Sequence, residues 1–112
     1  MKNIKDVLTA GMDNLVRFEG AEQLVIAMRT NVKVWSWGAH GWKLFEGKVL
    51  RFMVSGHHHK GHVYVTVNVM DTFDIYLTTS QGNIKGVLNG IYLDQLIEVI
   101  DNRVERIVDY KL

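Results

Sequence analysis

A histidine-rich segment, HHHKGH, occupies residues 57–62 and is the most conspicuous chemical feature of the chain. Neutral imidazole is a common ligand of zinc, nickel and copper, and alternate residues of an extended chain share a face. His57 and His59 are therefore predicted to converge on a Zn or Ni ion, with His62 reaching in from the next strand. A polar hairpin tip explains the same residues more simply, because few carboxylates lie near the segment. We favour the tip and keep the metal site as the alternative.

An acidic strip near the C-terminus is a second candidate site. Its carboxylates recur at helical spacing beside an apolar stripe, so they are predicted to share one edge of a helix. A solvated helix face is the simpler interpretation. The sharper one is a docking strip for a basic partner protein or for a second copy of the chain. The residues of the strip are Asp94, Glu98, Asp101 and Glu105.

Three tryptophans, Trp35, Trp37 and Trp42, lie close together in sequence among basic residues. Such a pattern suits a surface that stacks single-stranded bases or a wall of an apolar ligand pocket. Packing in the core is the simpler interpretation. Nucleic acid is the least favoured partner, because the formal net charge is only +1 and the chain has no basic stripe to follow a phosphate backbone.

Signatures of known catalytic sites are missing from the sequence. Cysteine is absent, which excludes disulfides, thiolate catalysis and cysteine-ligated zinc. Serines occur in no GxSxG motif, and the glycines at 82, 86 and 90 match neither a P-loop nor a dinucleotide-binding fingerprint. We therefore predict a protein without catalytic activity.

Composition predicts one folded domain spanning residues 1–112. Apolar residues make up 47% of the chain and charged residues 22%, as in ordinary globular proteins. No apolar stretch approaches the roughly 20 residues that cross a bilayer, so we expect a small soluble cytoplasmic protein. Charge is uneven: residues 1–60 carry nine basic and five acidic residues (+4), and residues 61–112 carry four and seven (−3).

Helical periodicity marks both ends of the chain. Apolar residues from Ile4 to Val16 form one stripe that Asn3 is predicted to cap. Residues 17–20 break this helix. The segment 21–31 fits either a short helix or a strand; we favour the helix, with Asn31 as its left-handed C-terminal residue. The pattern from Leu93 to Val108 predicts a long C-terminal helix.

Alternation with a period of two predicts an antiparallel meander of about five strands. Glycine-containing or polar turns separate them at 38–41, 46–47 and 71–72, and residues 80–90 are predicted to be a loop. The predicted strands are 32–37, 42–45, 49–54, 63–69 and 73–78.

These elements together predict an α+β domain of two layers. The C-terminal helix is predicted to cover the aliphatic face of the sheet, and the polar face is left for a partner. Our leading hypothesis is a protein-interaction module, with homodimerisation as one form of it; the alternative is a metal- or small-ligand-binding protein that uses the histidines. The residues of the predicted partner-binding face are Tyr64, Thr66, Asn68 and Tyr76.

Overall fold

An antiparallel sheet with helices against it forms the body of the protein, for which a computed structural model describes residues 3–11, 15–56 and 58–104. The helices are α1 (Ile4–Gly11), α2 (Ala21–Arg29), α3 (Val32–Ser36) and α4 (Leu96–Val104), the last preceded by a 3₁₀ turn at Leu93–Gln95. The strands are β1 (His40–Phe45), β2 (Val49–Ser55), β3 (Lys60–Val67), β4 (Phe73–Thr78) and β5 (Ile84–Ile91). The predicted α+β class is confirmed.

The five strands form one meander in the order β1-β2-β3-β4-β5, each antiparallel to the next. Short turns allow this order, because each strand folds directly back on its predecessor. Between β1 and β2, Glu46 and Gly47 both have positive φ, and the Lys48 N–H donates to the Phe45 carbonyl at 2.9 Å. Two positive φ angles are what a type I′ hairpin turn needs. The predicted turn at 46–47 is confirmed.

Alternation along the strands separates two faces of the sheet. We call the face that carries Phe52, Val63 and Ile75 the core face, and the face that carries Arg51, Tyr64 and Tyr76 the second face. Helices α2, α3 and α4 bury apolar side chains against the core face, as predicted for the C-terminal helix. Their buried residues are Ala21, Met28, Val34, Leu96, Ile100 and Val104.

The predicted strand at 32–37 is wrong, because this segment contains α3. Asn31 is extended, with φ −88° and ψ 132°, and its side chain accepts a hydrogen bond from the Lys33 N–H at 2.9 Å. Asn31 therefore caps the start of α3 and does not end α2 in the left-handed region. Ser36 Oγ closes the turn by donating to the Lys33 carbonyl at 2.6 Å. Residues 38–41 consequently lead from a helix into β1 and do not form a hairpin turn.

The predicted loop at 80–90 is also wrong, because β5 begins at Ile84 and pairs with β4. Three residues of β5, Gly86, Asn89 and Gly90, have low strand propensity, which hid the strand in the sequence. The ladder with β4 shifts register in two places. Pairing with a neighbour has overridden local propensity here.

Helix boundaries agree with the sequence in part. Asn3 Oδ1 accepts from the Lys5 N–H at 2.9 Å, as a cap of α1 does, and α2 is a helix as favoured. The first helix is described as far as Gly11, residues 12–14 lie outside the described ranges, and Val16 is not helical, since its N–H donates to the Val67 carbonyl at 3.1 Å. The predicted part of the C-terminal helix beyond residue 104 lies outside the described residues.

Candidate interaction surfaces

The histidine-rich hairpin tip joins β2 to β3 beside the end of α4. The backbone N–H groups of His58 and His59 both donate to the Val104 carbonyl, at 2.7 and 3.3 Å. These two bonds join the tip to the last described residue of α4. The backbone of this tip therefore has a structural role.

The side chains of His59 and His62 are withdrawn from solvent to different degrees. His59 is 5% exposed, and its Nε2 lies 3.3 Å from the His62 carbonyl oxygen. His62 is half-buried on the second face, where its Nδ1 is buried without a hydrogen-bond partner. Burial lowers the pKa of both imidazoles, and the charge of Arg51 lowers that of His62 further.

A three-histidine metal site is not assembled by the described residues alone. Within residues 3–11, 15–56 and 58–104, no three histidine or carboxylate side chains are grouped so that they would hold a metal ion. His57 lies outside these ranges. The site predicted from His57, His59 and His62 therefore stays a prediction.

The lowered pKa values predict that acid destabilises the fold. Below the usual histidine pKa of 6.5, the unfolded chain binds protons that buried His59 and half-buried His62 resist. This contribution to stability is complete above that pH and is lost as the pH falls through it. Urea denaturation should therefore give a free energy of unfolding that falls between about pH 7.5 and about pH 5. His59→Asn should flatten this dependence and exposed His40→Asn should not; equal slopes in both variants would exclude His59 as a cause.

The predicted partner-binding face is less open than its sequence pattern indicates. Tyr64 and Tyr76 stand directly opposite each other on β3 and β4 and are half-buried. Thr66 is fully buried, with Oγ1 donating to the Asp74 carbonyl at 3.4 Å, so it offers nothing to a partner. Asn68 holds the turn after β3, since its Nδ2 donates to Thr72 Oγ1 at 2.8 Å.

Helix α1 lies over part of the second face and, with the sheet, borders an open cavity of about 360 Å³. Ile4 of α1 is buried and Leu8 is half-buried. The sheet contributes Phe45, Val49 and Tyr64 to the cavity wall. The first helix therefore covers part of the predicted polar face.

Two cations face each other on the second face without a carboxylate between them. Lys43 of β1 and Arg51 of β2 are cross-strand neighbours. Lys43 Nζ lies 5.0 Å and Arg51 Cζ 5.6 Å from the centroid of the Phe45 ring. Neither forms an ion pair with any carboxylate that the structure describes. Like charges directly opposite each other are unfavourable, so this arrangement opposes stability.

The predicted acidic strip is divided by the structure. Asp94 and Glu98 are exposed. Asp101 is half-buried and accepts a hydrogen bond of 2.8 Å from Trp37 Nε1. It therefore stabilises the junction of α3 and α4, while Glu105 lies outside the described residues.

The three tryptophans have three different environments. Trp37 is fully buried, and half-buried Trp42 stacks on Phe52 with ring centroids 4.4 Å apart. Trp37 and Trp42 therefore pack in or against the core, as the simpler interpretation predicts. Trp35 is 79% exposed, and its Nε1 donates to the Arg29 carbonyl at 3.0 Å, so the indole is held in place while its faces meet solvent.

An apolar groove runs from Trp35 to the edge strand β1. Two cavities of about 480 and 340 Å³ share Ile26, Arg29 and Trp42 in their walls and so form one continuous groove. Ile26 is 59% exposed, and Leu44 of β1 lies at the far end. Sequence reasoning missed Ile26, because this residue fits the strand alternative for the segment 21–31 but not the apolar face of the favoured helix.

Comparisons with known proteins return no relative. The chain matches no protein-family model, no curated protein and no solved structure. None of the helices in the described ranges is both long and apolar enough to cross a membrane.

Proposed function

We propose that this chain is a non-catalytic protein-interaction module that binds an extended segment of a partner protein along β1. The observation that carries this proposal is the exposed indole of Trp35, hydrogen-bonded to the Arg29 carbonyl, beside the apolar groove. Trp and Arg are enriched among the residues that dominate binding energies at protein interfaces. An aromatic ring already fixed by a hydrogen bond loses little conformational entropy when a partner covers it.

Strand β1 provides the backbone for such an interaction. It is the first strand of the sheet order and pairs with β2 alone among the described strands. A bulge near Gly41 interrupts the ladder, and regular pairing runs from Lys43 to Phe45. An edge strand with free backbone groups accepts an added strand, whose main-chain hydrogen bonds supply affinity and whose alternate side chains supply specificity.

The two sides of β1 indicate the chemistry of the partner. Trp42 and Leu44 border the groove, which part of Lys43 also lines, and the Lys43 ammonium lies over Phe45 on the second face. A strand added to β1 alternates its side chains between these two sides. The partner segment therefore alternates bulky apolar residues, which enter the groove, with acidic residues, which meet Lys43. A second copy of β1 fits less well, since it brings lysine to a cationic edge.

Peptides selected from a display library on the immobilised protein test the proposal. We expect the recovered peptides to alternate apolar and acidic residues. Trp35→Ala should weaken their binding by at least about 30-fold, the equivalent of the roughly 2 kcal/mol that defines a dominant interface residue. Isothermal titration calorimetry of wild type and variant gives this ratio. Tyr92→Ala, which removes another exposed aromatic residue, is the matched control and should leave binding unchanged.

Further measurements distinguish an extended peptide from a helical peptide, from nucleic acid and from a second copy of the chain as the ligand of the groove. Proline substituted at alternate positions of a selected peptide should abolish binding, because proline removes a backbone N–H that would donate to the strand ladder. Binding of peptides that form helices, in place of extended ones, would show that the partner does not bind as an added strand. Binding of single-stranded oligodeoxythymidine that depends on Trp35 and on salt would overturn the proposal in favour of nucleic acid. A dimer in sedimentation equilibrium that Trp35→Ala dissociates would identify a second copy as the occupant.

A further inference from the structure

We propose that the second face beneath α1 binds a small carboxylate that carries an apolar chain. In this arrangement the carboxylate meets the guanidinium of Arg51, and the chain lies in the cavity between α1 and the sheet. The cavity is on the opposite side of the sheet from the groove beside Trp35. The partner segment proposed there also meets Lys43, so the test of this site changes Arg51 and leaves Lys43 in place.

Positive charge is concentrated on this part of the second face. Arg51 and Lys43 are adjacent across β1 and β2, and His62 lies on the same face, opposite Met53. No described carboxylate pairs with either of the two permanent cations. An anion placed beside Arg51 would remove a repulsion that the free protein retains.

Two polar side-chain atoms in this region have no hydrogen-bond partner. Arg51 Nη2 donates to the Gly41 carbonyl at 3.1 Å, whereas Arg51 Nε and His62 Nδ1 are buried without partners. Leaving such groups unsatisfied costs about 1–3 kcal/mol each, which marks the region as incomplete. A guanidinium favours carboxylates because its planar donors match the two oxygens. Tyr64 of β3 lies directly opposite Arg51 of β2. Burial raises the pKa of its phenol, so the hydroxyl stays a neutral hydrogen-bond donor.

The cavity between α1 and the sheet gives the ligand a place for its apolar chain. Its volume of about 360 Å³ falls within the range of small-molecule pockets. Phe45 connects the two halves of the site: its ring lies under the Arg51 guanidinium and also lines the cavity. Four residues of the cavity wall are apolar and four are polar: the apolar ones are Ile4, Leu8, Phe45 and Val49, and the polar ones are Lys5, Thr9, Glu46 and Tyr64.

Calorimetric titration of the full chain with decanoate, below its micelle concentration, tests the site. Decanoate should bind, while acetate, which lacks the chain, and decanol, which lacks the charge, should each bind at least about tenfold more weakly. Equal binding of decanol would show that the cations are not used. Inorganic phosphate binding as tightly as decanoate would reduce the site to a general anion patch. Either result, or no binding of decanoate, overturns the proposal.

Two variants locate the binding. Arg51→Gln should weaken decanoate by at least about tenfold, the loss of one charged hydrogen-bonding group. Lys33→Gln, an exposed cation on α3, is the control and should have no effect. Arg51→Lys keeps the positive charge but loses the planar donors, so we expect an intermediate affinity for decanoate. Because a cation remains at this position, the variant should also fold as the wild type does. Unchanged affinity in both Arg51 variants would place any bound decanoate elsewhere.

Discussion

Replacing Trp37 with alanine is expected to lower the free energy of unfolding by about 3–5 kcal/mol, the usual range for removing a large buried aromatic ring. The indole is fully buried and stacks on Phe52 with ring centroids 6.3 Å apart. Its Nε1 donates to Asp101 of α4, and its carbonyl accepts from the Ser55 N–H at 2.8 Å. One residue therefore joins α3, α4 and the end of β2. Urea denaturation followed by circular dichroism measures the loss.

Trp35, two residues earlier, is the matched control for this prediction. Because its ring is largely exposed, Trp35→Ala should change the free energy of unfolding by less than about 1 kcal/mol. Trp37→Phe keeps an aromatic ring in the core but leaves Asp101 without its donor, so an intermediate loss of about 1–3 kcal/mol is expected. Equal losses in the two alanine variants would contradict the different environments of these tryptophans.

The central strands were predictable because their physical cause is local. Valines of β3 alternate with polar residues, and the alternation corresponds to one buried and one half-covered face in the structure. The helix α2 was predictable for a similar reason, since Ala21 and Met28 repeat at helical spacing and are both buried. In each case a periodic pattern continues long enough to favour one backbone geometry.

Segments without such continuity were predicted wrongly. Residues 32–37 alternate between apolar and polar, as a strand does. Helix α3 within them has only five residues, too few for a helical period to show, and the side-chain cap from Asn31 favours the helix over the strand. Strand β5 contains two glycines and an asparagine, and only its pairing with β4 keeps it extended. Both errors arise where a single hydrogen bond or a neighbouring strand outweighs local propensity.

The candidate sites depended even more on tertiary structure. Exposure of Trp35 follows from α3, which the sequence pattern concealed, and the opposition of Lys43 and Arg51 requires the register of β1 on β2. Asp101 shows the reverse case: its spacing fits an acidic docking strip, yet its carboxylate is engaged by Trp37. Sequence spacing identifies residues able to interact, but packing decides which of them are available.

Gly61 is the position at which the smallest substitution should have the largest effect. Its φ is +146°, and an added Cβ would collide with the carbonyl oxygen of Thr78 on β4. A backbone conformation unfavourable for L-residues contributes about 1–3 kcal/mol, and overpacking against a backbone atom contributes about as much again. Gly61→Ala should therefore lower the free energy of unfolding by about 2–6 kcal/mol in urea denaturation.

Gly11→Ala provides the control, because nothing lies within 4 Å of an added Cβ there and the residue is helical. Alanine at this position should raise stability by up to about 1 kcal/mol through helix propensity. The strain at Gly61 should also be visible locally, since β3 can accept a methyl group only by moving away from β4. Amide shifts at His62 and Thr78, which face each other across these strands, should then change more than those of the β1–β2 turn. A Gly61→Ala variant as stable as wild type, with those amides unmoved, would show that the close approach of β3 and β4 does not depend on glycine.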